Sequence, residues 1–161
     1  YGVELMEKEE VVNHLRAAKS AHIAWLQKAK LLINGVNVAE DAIPVDSTEC
    51  KFGKWFYGDG QMLNSLANNP AEAMSSIENL HFKLHDVYLQ IFNIYFNKEK
   101  KSGFLAKMFG LKRNKVTQIE TNVAHQHYEN MEQISKGLLE EINKLERRLM
   151  AVSDEKIRTL I

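Results

Sequence analysis

Residues 116–152 read VTQIETNVAHQHYENMEQISKGLLEEINKLERRLMAV, and their apolar spacing decides the predicted fold class. Ten steps of three or four residues cover 36 positions, a mean of 3.6, which is the period of a straight bundle helix rather than of a strict heptad coil. The members of this stripe are Val116, Ile119, Val123, His127, Met131, Ile134, Leu138, Ile142, Leu145, Leu149 and Val152. The stretch therefore predicts one long helix with a single inward face.

Two more long helices are predicted upstream by the same periodicity. The first ends near Asn34-Gly35, and its stripe is Val11, Leu15, Ala18, His22, Trp25, Ala29 and Leu32. The second starts at Pro70, and its stripe is Ala73, Ile77, His81, Leu84, His85, Tyr88, Phe92 and Tyr95. Short helices are expected between them, one starting near Glu49 with Ser47 or Thr48 as its cap. The prediction is an all-α, four-helix-type bundle of three long helices plus short connecting helices, in one domain (1–161, with a core of about 5–150).

Composition excludes several classes of protein. Lysine plus arginine equals aspartate plus glutamate, 21 each, so no global charge favours nucleic acid. No apolar run reaches the roughly 18 residues of a membrane span, and a single cysteine fits a reducing cytoplasm. The segment 98–115 is basic, with seven lysines or arginines around apolar residues. It could lie on a membrane surface, but we favour a connection whose apolar residues pack on the bundle.

Candidate metal ligands come from three separate segments. His22 lies on the first stripe, Cys50 lies in the short stretch Cys50-Lys51-Phe52-Gly53-Lys54-Trp55, and His81 and His85 are one helical turn apart. Taken singly, a histidine on an apolar stripe or a lone cysteine is more often a core residue. Together, three imidazoles and one thiolate form a complete tetrahedral set for zinc.

The order and context of these residues resemble the chemoreceptor zinc-binding (CZB) domain family. Its pattern is His-x-x-aromatic, then Cys-x-apolar-Gly-x-aromatic, then His-x-x-x-His, with spacers of roughly twenty to thirty residues. The three motifs occur here as His22–Trp25, Cys50–Trp55 and His81–His85, with spacers of 24 and 25 residues. All positions of the pattern match.

The resemblance implies a zinc-binding sensory module on a bacterial signalling protein. Zinc would be held by His22, Cys50, His81 and His85, with Trp25 and Trp55 excluding water. Gly53 would allow a close backbone approach, although a role at a helix terminus explains it equally well. Family members act in the cytoplasm, often as homodimers. They report zinc or cysteine oxidation to chemoreceptors (chemotaxis) or to cyclic-di-GMP enzymes. No catalytic residue is implied.

Two alternatives stay open on sequence grounds, the zinc hydrolase and the bundle without metal, whereas a di-iron bundle fails by its motif count. A zinc hydrolase with one open metal position would need a nearby carboxylate as general base, for which Glu49 and Asp86 are closest in sequence. A di-iron bundle needs repeated Glu-x-x-His motifs, and only Glu78 with His81 fits. A bundle without metal would use Cys50 as simple packing. Elsewhere, His14 lies off the first stripe and is predicted to face solvent.

Overall fold

The computed structural model describes residues 7–66, 71–97 and 116–160. The regular elements in these ranges are all helical, and we number the α-helices in chain order. They are α1 (Lys8–Ile33), α2 (Lys51–Tyr57), a 3₁₀ helix (Asp59–Ser65), α3 (Ala71–Tyr95), α4 (Gln118–Met150) and α5 (Asp154–Arg158). The predicted all-α bundle of three long helices with short helices between them is confirmed. The basic segment 98–115 lies outside the described residues.

Local sequence signals set the ends of the long helices. At the end of α1, the backbone N–H of Asn34 bonds back to Lys30 and Leu31, and Gly35 follows with a φ of 86°. Such a positive φ favours glycine because other residues carry a Cβ that clashes there. α4 begins with a capping box in which Thr117 and Glu120 each accept a hydrogen bond from the other's backbone N–H. Both predicted boundaries are therefore close to the observed ones.

α4 forms the base of the bundle, since both α1 and α3 pack along it. α1 runs antiparallel to α4, because Lys8 bonds to the carbonyls of Met150 and Val152 while Lys19 reaches Asn143 and Glu146. α2 and the 3₁₀ helix lie against α1 and α3 respectively. This leaves the inner faces of α1 and α3 to meet the short α2, and the candidate site lies there.

The predicted stripes of α1 and α3 are largely buried, as expected. The prediction is wrong for the first third of the α4 stripe. Ile119 is 77% exposed and Val123 is also exposed, whereas Ala124 and Tyr128 are buried in their place. Burial there follows the position of α3 rather than the hydrophobicity of α4, and the sequence carries no signal for that.

The histidine predicted to face solvent is also placed differently. His14 is half-buried and stacks on the indole of Trp55, with ring centroids 4.8 Å apart and planes within 13°. The prediction was wrong because α2 covers this side of α1 through a contact between residues 41 positions apart in sequence.

Glu146 joins α4 to α1 and provides a pH-dependent prediction. Its carboxylate accepts from Lys19 at 2.7 Å and from Arg16 at 2.9 Å, and these cations hold its pKa below the ordinary 4.5. A carboxyl whose pKa is lowered by folding stabilises the fold above its unfolded pKa and loses that contribution as pH falls through the folded value. Glu146→Gln should therefore lower stability by about 1 kcal/mol near pH 7. The deficit should shrink as pH falls below about 4.5.

Urea unfolding of both proteins at several pH values measures this difference. Glu141→Gln is the matched control, because its partner Lys144 is on the same helix at 2.9 Å. A Glu146→Gln deficit that stays constant between pH 7 and pH 3 would show that the ion pairs contribute nothing.

Candidate metal centre

The four predicted ligand residues meet in the interior of the bundle. His22 comes from α1, Cys50 precedes α2, and His81 and His85 come from adjacent turns of α3. One ligand atom from each residue lies within 4.8 Å of the other three. The side chains are buried, with exposed fractions of 0%, 1%, 1% and 3% in chain order. Solvent therefore has almost no access to this cluster.

The spacing inside the cluster fits one small cation. His81 Nε2 lies 3.1 Å from His85 Nε2 and 3.3 Å from Cys50 Sγ. Zinc bonds of about 2.0 Å to nitrogen and about 2.3 Å to sulfur put tetrahedral ligand atoms about 3.3 to 3.6 Å apart. The full set spans up to 4.8 Å, so one ion would draw the widest pair together by about 1 Å.

Hydrogen bonds to the outer ring nitrogens leave the inner ones as acceptors. His22 Nδ1 lies 2.5 Å from the Ala18 carbonyl, and His85 Nδ1 lies 2.8 Å from the Pro44 carbonyl. Since a carbonyl only accepts, these bonds assign the proton of each ring to Nδ1. Within the described part of the chain, His22 Nε2 is buried and has no hydrogen-bond partner. A buried lone pair without a donor is unfavourable unless a cation binds it.

Burial keeps the imidazoles neutral. It lowers the pKa of His22 to about 4 against the opposing effect of the Ala18 carbonyl, and it lowers the pKa of His85 as well. The pKa of His81 falls to about 2, first through burial and then through the neighbouring His22 and His85. Neutral imidazole is the form that binds metal. Burial also raises the pKa of the Cys50 thiol, so a bound cation is what would favour the thiolate.

The comparison with protein families bears on the same residues. The model of the chemoreceptor zinc-binding domain matches residues 22–92. This match confirms the resemblance to that family predicted from the sequence. The matched CZB segment begins at His22 and ends in α3, so it contains the whole cluster and leaves α4 outside. No curated protein and no solved structure gave a match to the chain.

Cys50 is the N-cap of α2 in the CZB segment. The helix begins at Lys51, two residues later than the sequence predicted, and the cap is Cys50 rather than Ser47 or Thr48. The Gly53 backbone N–H donates to Cys50 Sγ at 3.2 Å, and the thiol donates to the Ser47 carbonyl at 3.5 Å. An amide aimed at sulfur stabilises the thiolate form, so this cap prepares the sulfur for a cation.

Aromatic rings surround the cluster, though not in the predicted arrangement. Trp25 contacts His22 and His85 edge-on, with centroids at 4.5 and 5.5 Å. Phe52, rather than Trp55, gives the second set of contacts, lying 5.1 Å from His81 and 5.8 Å from His22. Trp55 lies one layer further out, 6.0 Å from Phe52. Phe52 occupies the apolar position of the cysteine motif, and that was the available signal for its role.

The chemistry of the donor set favours zinc over other cations. Three imidazoles and one thiolate suit zinc, whereas magnesium and calcium require oxygen ligands. Among the described residues, the cluster includes no carboxylate. Glu49 and Asp86, the bases that a hydrolase would need, are exposed, and the Glu78 carboxylate accepts from Tyr57 at 3.4 Å instead. The residues present therefore fit a zinc ion.

Proposed function

We propose that the CZB segment binds one zinc ion through His22, Cys50, His81 and His85. The observation that carries this proposal is the buried cluster of four ligand atoms within 4.8 Å, one of them the unpartnered His22 Nε2. The match of residues 22–92 to the CZB family supports the choice of zinc.

The proposed role is regulatory, without catalytic turnover. Four protein ligands leave no coordination position for a reacting water, which is typical of structural zinc sites. When bound, zinc supplies the positive charge that holds Cys50 as thiolate. The protein's own part is to join three elements at one point, since His22 fixes α1, the two α3 histidines fix α3, and Cys50 fixes the start of α2. Loss of the ion would free α2, a helix of seven residues that starts directly after Cys50.

The signal would be the zinc level or the oxidation of Cys50. A peroxide would transfer one oxygen atom to the Cys50 sulfur as its O–O bond breaks, and the remainder would leave as water or an alcohol. The resulting sulfenic acid binds zinc poorly. Reactive cysteines are usually accessible, whereas Cys50 is buried. Burial therefore favours zinc level as the primary signal, with oxidation following the opening of α2. The receiver we propose is a bacterial signalling protein of the chemoreceptor or cyclic-di-GMP type, in the cytoplasm, with the domain acting as a homodimer.

The described helices bear on the membrane alternative. Among the described helices, none combines the length and apolar character that a membrane span requires. The surface-binding interpretation of 98–115 concerns residues outside the described ranges, so pelleting with anionic vesicles remains its test.

Metal analysis of purified protein tests the proposal. The wild type should carry one zinc per chain, and Cys50→Ala and His81→Ala should lose it or bind it weakly. His125→Ala is the matched control. This histidine is exposed on α4, so the variant should keep its full zinc content. A folded wild type that neither contains zinc nor takes it up would contradict the proposal, as would variants that retain zinc like the control.

A further inference from the structure

The loop from Ile43 to Cys50 does more than connect α1 to the cluster. The Pro44 carbonyl accepts from His85 Nδ1 at 2.8 Å, and this bond fixes both the tautomer and the direction of the ring. The same loop ends at Cys50, so its path also determines the position of the Cys50 sulfur. Two of the four proposed ligands, His85 on α3 and Cys50 at the start of α2, therefore depend on the shape of one short loop.

A single carboxylate closes the turn in this loop. Asp46 Oδ1 accepts from the Thr48 backbone N–H at 2.8 Å and from the Thr48 hydroxyl at 2.7 Å. The Asp46 carbonyl accepts in addition from the Glu49 N–H at 3.1 Å. Aspartate commonly fixes turns in this way, by bonding to the backbone two residues further on. The turn lies between the residue that orients His85 and the residue that supplies sulfur.

We infer that Asp46 is a positioning residue for metal binding, and that it acts by holding the turn between Pro44 and Cys50. Asp46 does not belong to the ligand cluster, and its side chain is exposed. The two Thr48 donors are the leading cause that lowers the pKa of the Asp46 carboxyl below its ordinary 3.8, so it is ionised at neutral pH. What the turn requires of this side chain is one oxygen that accepts both Thr48 bonds.

Two substitutions at position 46 separate this role from a general effect of charge. Asparagine at position 46 keeps an oxygen that can accept both Thr48 bonds but removes the charge, whereas alanine removes both. Groups that orient metal ligands typically contribute 10- to 100-fold to affinity, and Asp46 acts one step further out, so we expect the lower end. Asp46→Ala should bind zinc about tenfold more weakly, and Asp46→Asn should stay within about threefold of wild type.

Zinc titration of the full chain against a chromophoric chelator measures these affinities, with circular dichroism on each sample to confirm folding. Visible absorption of the cobalt(II)-loaded proteins is the second readout, because it reports ligand geometry rather than stability. Asp41→Ala is the control, because this exposed aspartate lies just before the loop, and the variant should match wild type in both readouts. If Asp46→Ala does not fold, Thr48→Val carries the test, since it removes only the hydroxyl bond and should show a smaller loss in the same direction.

The inference rests on the proposed zinc site, and the two can fail separately. A wild type that binds no zinc overturns both. Overturning the positioning role alone requires a wild type that binds zinc while Asp46→Ala binds equally well with an unchanged cobalt spectrum. The positioning role is also overturned if Asp46→Asn loses as much zinc affinity as Asp46→Ala, because the loss would then be caused by the missing charge rather than by the missing turn.

Discussion

Gly53→Ala is expected to destabilise the protein by about 2 to 3 kcal/mol and to weaken zinc binding. A Cβ at this position would lie 1.8 Å from the Ser47 carbonyl oxygen and 2.9 Å from its carbon. Both are backbone atoms, so the loop must move to make room. That movement would also displace the Gly53 N–H from Cys50 Sγ, which it meets at 3.2 Å. Urea unfolding without metal measures the first effect, and a zinc competition titration measures the second.

Gly137→Ala provides a matched control within the same chain. Its Cβ would contact the Leu80 side chain at 3.6 and 3.7 Å, which is ordinary van der Waals distance. Alanine in a helix interior is more favourable than glycine by about 0.5 to 1 kcal/mol, so this variant should be as stable as wild type or more so. If Gly53→Ala matched Gly137→Ala in stability and bound zinc like wild type, the close approach to Ser47 would be irrelevant to the fold.

Zinc removal is expected to expose the amides of α2 to solvent exchange while the centre of α4 stays protected. If α2 opens only after zinc leaves, a free zinc concentration about 1,000 times Kd should slow α2 exchange by about three orders of magnitude. The buried face of α4 from Leu138 to Leu149 packs on α1 and α3 without contributing a ligand, so it should change little. Hydrogen exchange with mass spectrometry, with and without a chelator, measures both regions.

Cys50→Ala is the control for this experiment. The substitution removes the ligand that ties α2 to the cluster, so added zinc should no longer protect residues 51–57. Equal α2 exchange in the zinc-loaded and chelated wild type would contradict the idea that zinc holds this element in place. Protection of α2 by zinc in Cys50→Ala would show that the sulfur is not the link.

Local periodicity explains why the sequence predicted well which histidine side chains face the interior of the bundle. His81 and His85 share a helical face for geometric reasons, whatever the rest of the chain does. His22 lies in step with the buried stripe of α1, so its inward direction also follows from spacing alone. The resemblance to the CZB pattern then connected Cys50 to them, and the structure brings all four together.

Contacts between distant segments explain what the sequence did not predict. From sequence, Gly53 could allow a close backbone approach or mark a helix terminus. The position of the Ser47 carbonyl, which leaves no room for a Cβ at residue 53, favours the close approach. The roles of Pro44 and Asp46 depend on where the loop passes α3, and polar loop residues carry no periodic signal of such a path. The exposed Ile119 is a similar case, because the position of α3 along α4 determines which side chains are buried there.

X-ray absorption at the zinc K edge of the purified wild type tests the proposed centre most directly. We expect one zinc per chain, with three nitrogen ligands at about 2.0 Å and one sulfur at about 2.3 Å. The sulfur contribution should disappear in any zinc bound by Cys50→Ala. A zinc shell of nitrogen and oxygen without sulfur would contradict the assignment of Cys50 and restore an open position for water. A wild type that folds and takes up no zinc would contradict the proposed centre as a whole.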